Sequence, residues 1–121
     1  MLALEVRRHN LYVCNTFTPA MLPTFASRQL LFEPMTEAQV TNLLYENPFV
    51  SAVGHQGTCD ILTERLGRLI AFSRMNVRLE PEDTLIVTQL VTPRLPEGQV
   101  LSKEQVRALP IVYWKVTSVG I

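Results

Sequence analysis

A short apolar run that turns through a glycine into a helical pattern is the feature that most limits how this chain can fold. The run covers residues 49–53 and is followed by Gly54 and His55. A helical pattern begins at about Gly57, so we predict a strand that leads into a helix through a corner. Glycine lets a ligand approach the backbone, and the unpaired N–H groups of a first helical turn favour an anion. His55 is therefore either a structural residue of an ordinary turn or a functional residue beside that anion.

The composition restricts the class of protein further. The 121 residues suffice for one compact domain, and 47% of them are apolar, which is enough for a hydrophobic core. Eleven basic and eleven acidic residues give zero net charge, whereas a protein that coats nucleic acid needs a broad basic surface. Duplex DNA is therefore not an expected partner, although a local pocket could hold a small anion. We expect an N-terminal extension over residues 1–8 and a single domain over residues 9–121.

Cysteine and histidine are too sparse for a metal centre. Cys14 and Cys59 are the only cysteines, and His9 and His55 are the only histidines. Their spacing fits neither a zinc site nor a secreted disulfide framework. The first ten residues lack the apolar core of a signal peptide, and no run approaches the length of a membrane span. We expect a cytoplasmic protein that needs no metal or cofactor and does not contact a membrane.

Apolar periodicity and helix caps predict a mixed fold. Strands are predicted at residues 11–15, 29–32, 49–53, 73–79, 85–91 and 111–117. Helices are predicted to begin at Thr18, Thr36, about Gly57 and Ser102. Thr36 and Ser102 each precede a glutamine by three residues, as in a capping box. The expected fold class is α+β, with a single mixed sheet of about five to six strands and short helices packed against it. We expect Trp114 in the core, with Val112 and Val116 on the same face of the last strand.

Several polar residues lie where a ligand contact is one of two open interpretations. Asn15 ends an apolar row on the first strand and is either a ligand contact at the strand tip or a turn residue. Gln89 interrupts an apolar strand and is either part of a buried hydrogen-bond network or a ligand contact. Arginine suits phosphate contacts, and four arginines occur within an acid-free window over residues 65–78. Each of the four could instead belong to a solvated surface.

Two motifs resemble those of the anti-CRISPR ring nucleases of archaeal viruses and their bacterial relatives. They are Ala-Val-Gly-His-x-x-Thr at residues 52–58 and Arg-Leu-Pro-Glu-Gly-Gln-Val-Leu at residues 94–101. The similarity extends over about residues 11–116. It implies that the protein degrades cyclic tetra-adenylate, the second messenger of type III CRISPR systems, without metal. It also implies a homodimer that binds the ring across the dimer cleft, with a lid at about residues 91–101.

The resemblance assigns roles to individual residues. The catalytic histidine would be His55, and the arginine and glutamate of the lid would be Arg94 and Glu97. The ligand contacts would fall on Asn15, Thr18, Gly57, Thr58, Arg74, the backbone of Val77, and Gln89. Two positions depart from the family pattern. Gly57 stands where a hydroxyl residue is usual, so a contact there would come from the backbone, and Ala20 replaces a polar residue.

The chemistry expected of these residues is cleavage of RNA by its own ribose. The 2′-hydroxyl attacks the phosphorus in line, a 2′,3′-cyclic phosphate forms, and the 5′-oxygen departs. We expect His55 to protonate that oxygen and Arg94 to stabilise the charge. Glu97 would position Arg94 or the hydroxyl. Two such cuts would release two linear di-adenylates and switch off the antiviral response.

Two other classes of function compete with this interpretation. The same pocket could sequester a cyclic oligoadenylate without cutting it. Apart from the resemblance, Arg94 and Glu97 would be an ordinary surface ion pair. A small DNA-binding regulator is the third class, and zero net charge and the lack of a helix-turn-helix pattern argue against it.

Overall fold

Five strands form one mixed sheet in the computed structural model, which describes residues 9–22, 27–91 and 101–119. The strands are β1 (Leu11–Cys14), β2 (Gln29–Met35), β3 (Val50–Ser51), β4 (Thr84–Leu90) and β5 (Ile111–Val119). The α-helices of the described part are α1 (Glu37–Glu46), α2 (Gln56–Leu66) and α3 (Lys103–Ala108). A short 3-10 helix also covers Pro19–Met21. The predicted fold class, a single mixed sheet with short helices, is confirmed. The predicted extension over residues 1–8 lies outside the described residues.

The order of the strands is β2-β5-β4-β1-β3. β1 runs parallel to both β3 and β4, whereas β5 is antiparallel to β4 and β2. The three parallel strands therefore end at the same edge, which we call the carboxyl edge. In open sheets with parallel strands, ligands bind in the crevice outside this edge.

Each face of the sheet carries its own hydrophobic cluster. On the first face, Val13, Ile86 and Tyr113 pack against buried residues of α1 and α2 such as Leu44 and Leu62. On the second face, the buried cluster consists of Tyr12, Cys14, Val77, Leu79, Leu85, Val87 and Val116. Because both faces are covered over β1 and the middle of β4, these strands read as continuous apolar runs in the sequence.

Local capping signals place the starts of α1 and α3 and the end of α2 as predicted. The Thr36 hydroxyl accepts the backbone N–H of Gln39 at 3.1 Å, and the side-chain oxygen of Gln39 accepts the backbone N–H of Thr36 at 2.9 Å. Ser102 and Gln105 make the same pair of bonds before α3. α2 ends at Gly67, whose φ of 66° lies in the left-handed region that glycine favours.

A network centred on Arg65 joins the three α-helices to the sheet. Arg65 donates to the carboxylate of Glu37 at 2.7 Å and to the carbonyls of Val106 and Leu109 at 3.1 and 2.6 Å. The hydroxyl of Tyr113 donates to the same carboxylate at 2.8 Å. Burial, and then the bond to Glu37, raise the pKa of Tyr113. The network therefore holds the end of α3 against α2 and β5.

The predicted strand over residues 73–79 is wrong. This segment is irregular, and it lies over the second face of the sheet with Val77 and Leu79 buried and Met75 40% exposed. Leu79 donates its backbone N–H to the carbonyl of Met21 at 2.8 Å, so it bonds to the end of the 3-10 helix and not to a strand. Alternating hydrophobicity reports which side chains are covered, whether or not the backbone joins a ladder.

The placement of Trp114 in the core is also wrong. Trp114 and Val112 are 38% and 39% exposed, whereas Val116 on the same face is fully buried. The segment 73–79 packs Val77 and Leu79 near Val116 but leaves the part of β5 that carries Val112 and Trp114 open. The strand predicted at residues 29–32 continues to Met35 through Pro34, which β2 tolerates because it is an edge strand.

No helix among the described residues is long and apolar enough to cross a membrane.

Candidate functional site at the carboxyl edge

Three of the predicted site residues follow or end the parallel strands. Asn15 comes directly after β1, His55 follows β3 across the Gly54 corner, and Gln89 is close to the end of β4. The register pairs Cys14 with Val87, so β4 continues past the end of β1. Because β1 lies between β3 and β4, the chains that carry His55 and Gln89 are about 10 Å apart at this edge.

Buried groups hold the backbone of the corner before α2 in place. Val53 is fully buried, and its carbonyl accepts hydrogen bonds from the backbone of Ser73 at 2.9 Å and from the thiol of Cys59 at 3.4 Å. Burial raises the pKa of the Cys59 thiol, which keeps it a neutral donor. The backbone position of His55 is therefore set by the core beneath it, although its side chain is exposed.

His55 is itself the N-cap of α2, which sequence reasoning missed. Its backbone is extended, with φ −137° and ψ 117°, and its Nδ1 accepts the backbone N–H of Thr58 at 3.1 Å. The hydroxyl of Thr58 lies 3.0 Å from the same nitrogen. The helix therefore begins at Gln56, one residue earlier than predicted. The side chain of Thr58, expected to contact a ligand, is occupied with the imidazole.

The position of the His55 ring explains why residue 57 is a glycine. A Cβ at this position would lie 3.1 Å from Cε1 and 3.5 Å from Nδ1 of His55. These distances are tight enough that the imidazole would have to shift by a few tenths of an ångström. The absence of a side chain at Gly57 therefore leaves room for the imidazole in its observed position.

Arg74 places a positive charge beside the corner. Its Nε donates to the carbonyl of Gly54 at 3.2 Å, and its guanidinium lies 5.6 Å from the centre of the Phe72 ring. Arg74 is exposed, and its two terminal nitrogens make no hydrogen bond to a described residue in the structure. A Cβ on Gly54 would meet Cγ of Arg74 at 3.0 Å, which accounts for the glycine at this corner. The guanidinium therefore has donors available for an anion next to His55.

The other three arginines of the acid-free window interact with residues away from the His55 corner. Arg65 is bound in the network with Glu37, and Arg68 lies 5.7 Å from the centre of the Tyr45 ring. Arg78 forms an exposed ion pair with Glu80 at 3.4 Å. Of the four, Arg74 alone is placed at the carboxyl edge. The sequence could not distinguish it because its partner is twenty residues away.

A cavity of about 370 Å³ opens on the second face, where the sheet is uncovered near the end of β4 and the start of β5. It is lined by Thr16, Phe17, Phe32, Val87, Gln89 and Trp114. Gln89 is exposed here and is not part of a buried network, whereas the neighbouring Thr88 is buried and donates to the Cys14 carbonyl at 3.0 Å. The cavity therefore combines aromatic side chains with one amide.

Three of the remaining predicted site residues lie in the described part of the chain, and two lie outside it. Asn15 is half-buried, and its side chain forms no hydrogen bond with the described part of the chain. Thr18 is exposed at the start of the 3-10 helix and makes no side-chain cap bond. Val77 is buried in the second cluster, so its backbone is the part that a ligand could contact. Arg94 and Glu97 lie outside the described residues.

A larger cavity of about 500 Å³ lies at the opposite edge of the sheet, beside Arg28 and Asp83. The carboxylate of Asp83 already accepts backbone hydrogen bonds from Asn10 and Glu80, at 3.0 and 2.9 Å. Its acceptors are used in holding the start of β4. We therefore place the candidate site at the carboxyl edge.

Comparison with known proteins identifies the family. The sequence profile of the STIV B116-like family matches residues 11–114. The chain belongs to this family.

Its relatives include viral proteins. The chain is 30% identical over 95 residues to the uncharacterized protein ORF116 of Acidianus filamentous virus 1, an alignment that covers 78% of this chain and 80% of the relative. It is 32% identical over 93 residues to uncharacterized protein 26 of Sulfolobus islandicus filamentous virus, with 75% of each covered. Each of the two alignments covers at least three quarters of this chain.

A solved structure shares the fold. B116 of Sulfolobus turreted icosahedral virus matches with a TM-score of 0.77 at 21% identity, over 89% of this chain and 98% of that chain. At this identity the match establishes the B116 fold alone.

Proposed function

We propose that this B116-like protein is a metal-independent ring nuclease that cleaves cyclic tetra-adenylate. The observation that carries the proposal is an exposed imidazole fixed at a helix start, with the free guanidinium donors of Arg74 beside it at the carboxyl edge. The motif resemblance supplies the substrate. The viral relatives support a role in switching off an antiviral signal.

The reaction uses the substrate's own ribose as nucleophile. The 2′-oxygen bonds to phosphorus while the bond from phosphorus to the 5′-oxygen breaks, which gives a 2′,3′-cyclic phosphate end. The proton of the 2′-hydroxyl leaves to solvent, His55 gives a proton to the departing 5′-oxygen, and Arg74 contacts a phosphate of the ring through its terminal nitrogens. Arg94 adds charge stabilisation and Glu97 positions Arg94 or the hydroxyl, roles that rest on the resemblance.

The adenylate ring needs contacts beyond the scissile phosphate. Asn15 and Gln89 offer amides that are not used within the described part of the chain. Amides of this kind can bond to an adenine edge in pairs. Thr18, the backbone of Gly57 and the backbone of Val77 complete the proposed contact set.

We also propose that the active form is a homodimer. Phe32, Val112 and Trp114 form an exposed apolar area on the second face, at 45%, 39% and 38% exposure, and it continues to Val91 at 58%. Such an area is typical of a surface that binds another protein. A two-fold axis near it would place a second His55 opposite the first, so that two cuts yield two linear di-adenylates.

The decisive experiment is incubation of the protein with cyclic tetra-adenylate in EDTA, followed by separation of the products. We expect linear di-adenylate with a 2′,3′-cyclic phosphate from the wild type and intact ring from His55→Asn. Ring that stays intact under excess wild-type enzyme, but is bound tightly, would replace cleavage by sequestration. Ring that is neither cut nor bound would remove cyclic oligoadenylate as the ligand.

A further inference from the structure

Phe72 is an aromatic residue that the core does not explain. Its side chain is 46% exposed, and it belongs to neither of the two hydrophobic clusters on the faces of the sheet. Exposed apolar side chains are common and need no special reason by themselves. Phe72 differs from them because its backbone is held in place and a charged side chain lies over its phenyl ring.

The backbone around Phe72 is held against the edge of the sheet beside β3. Phe72 forms an isolated parallel bridge with Val53. The hydroxyl of Ser51 donates to the carbonyl of Ala71 at 2.6 Å, and the N–H of Ser73 donates to the carbonyl of Val53 at 2.9 Å. Because Val53 is fully buried, the core sets the position of residue 72, although the phenyl ring lies outside it.

Arg74 lies over this phenyl ring. Its guanidinium carbon is 5.6 Å from the ring centre, within the range of a cation–π interaction, and its Nε donates to the carbonyl of Gly54 at 3.2 Å. The carbonyl takes one N–H, whereas the phenyl ring attracts the cation through its face. The two contacts together place the guanidinium beside the corner that carries His55.

A phenyl ring holds a guanidinium without using its hydrogen-bond donors. A carboxylate in the place of Phe72 would bind the terminal N–H groups of Arg74 and cancel its charge. None of the ion pairs found between described residues includes Arg74. The terminal N–H groups also make no hydrogen bond to a described residue. Arg74 is therefore held in place but not neutralised, and this is the condition that favours the binding of a phosphate.

We propose that Phe72 is a positioning residue that holds Arg74 beside a phosphate of the bound ligand and leaves its terminal N–H groups available to that phosphate. This inference rests on the proposed ring nuclease function. Phe72 acts through Arg74 and does not itself contact the ligand. Without the phenyl ring, Arg74 samples more rotamers in the free protein, so it loses more conformational entropy when the ligand binds.

A second arginine–aromatic pair provides a matched control. Arg68 lies 5.7 Å from the centre of the Tyr45 ring, and Tyr45 is 74% exposed near the end of α1. The distance is close to that between Arg74 and Phe72, but neither Arg68 nor Tyr45 has a part in the proposed site. Tyr45→Leu therefore removes a contact of the same kind without acting on Arg74.

Binding of cyclic tetra-adenylate measures the effect on the ligand. The His55→Asn background is used throughout, because the ligand should stay intact in it. We expect Phe72→Leu to raise Kd about two- to fivefold, as for the loss of an exposed cation–π contact. Phe72→Tyr, which keeps the aromatic face, should restore the Kd, and Tyr45→Leu should leave it unchanged.

A double-mutant cycle with Arg74→Gln distinguishes positioning from direct contact. If Phe72 acts through Arg74, Phe72→Leu should have no further effect on Kd once Arg74 is replaced. An equal loss in both backgrounds would show that Phe72 contacts the ligand itself. An unchanged Kd for Phe72→Leu while Arg74 is present would show that Phe72 positions nothing. Either result overturns the inference.

Proton NMR of the ligand-free protein tests the pair without any ligand. The face of a phenyl ring shifts the Hδ and Hε resonances of an arginine above it upfield. We expect Phe72→Leu to abolish this shift for Arg74, Phe72→Tyr to keep it, and Tyr45→Leu to change the resonances of Arg68 instead. Arg74 resonances that do not respond to Phe72→Leu would refute the pair. If the wild type neither binds nor cuts cyclic tetra-adenylate, the proposed function fails, whereas the spectra still decide whether Phe72 holds Arg74.

Discussion

Replacing His55 tests stability and chemistry separately, because one side chain serves both. His55→Ala removes the acceptor for the Thr58 N–H together with the imidazole. His55→Asn removes the imidazole but supplies an oxygen that is among the preferred N-caps. The two variants therefore differ in the cap and agree in the loss of the ring.

The size of the stability effect follows from the exposure of the residue. Because His55 is exposed, its truncation leaves no core cavity, and the cap bond is the main loss. Loss of an N-cap costs about 1 kcal/mol, within a range of about 0.5–2 kcal/mol. For a domain of this size that lowers Tm by about 2–8 °C. We expect this decrease for His55→Ala and less than about 0.5 kcal/mol for His55→Asn.

Urea unfolding followed by circular dichroism measures the free energy of unfolding, and single-turnover cleavage measures the chemistry. Both variants should lose about 10²-fold or more in cleavage rate, the usual cost of removing one transition-state donor. An alanine variant as stable as the wild type would show that the cap bond does not form in solution. An asparagine variant with the wild-type cleavage rate would show that the imidazole takes no part in the reaction.

Four further predictions test separate parts of the structure. Gly57→Ala should lower kcat about tenfold by displacing the imidazole, while the melting temperature stays the same or rises because alanine favours a helix. Arg65→Ala should cost about 2 kcal/mol in urea unfolding, since it strands a partly buried carboxylate, whereas Arg107→Ala, whose ion pair is exposed, should cost less than about 0.5 kcal/mol. Equal losses would refute the network. Burial raises the pKa of Tyr113 in the folded protein above its ordinary value of 10.0. The neutral hydroxyl therefore contributes fully to stability below pH 10.0, and this contribution is lost as the pH rises through the pKa of the folded state. Tyr113→Phe should flatten the alkaline decline in unfolding free energy, and an unchanged decline would refute this assignment. Trp114→Glu should shift the protein from dimer to monomer in sedimentation velocity, with secondary structure intact because the side chain is 38% exposed; a monomeric wild type, or a variant that remains dimeric, would contradict the proposed surface.

The elements predicted correctly are those whose signals are local. The capping boxes at Thr36 and Ser102 depend on residues three apart, so the sequence alone places the starts of α1 and α3. The left-handed end of α2 at Gly67 is also a one-residue signal. Such features need no knowledge of the rest of the fold.

The errors arise where distant parts of the chain decide the outcome. Whether residues 73–79 pair as a strand depends on which neighbour they meet, and here the neighbours are the 3-10 helix and a sheet face. The exposure of Gln89 and Trp114 depends on how far that segment extends over the sheet. Periodicity identifies a covered face, but it carries no information about where the cover ends.

In the candidate site, too, local sequence signals predict which residue is involved, and the structure supplies its geometry. The Gly-His pair and the helix after it predict that His55 lies near an anion site, since that inference uses only neighbours in sequence. The capping role of the ring also has a local signal, Thr58 three residues later, but histidine is rarely chosen as a cap when serine, threonine, asparagine and aspartate are preferred. The structure adds that the bond which stabilises the helix also fixes the orientation of the imidazole. A substitution that keeps a cap but removes the ring, such as His55→Asn, should therefore leave the fold intact and change the chemistry.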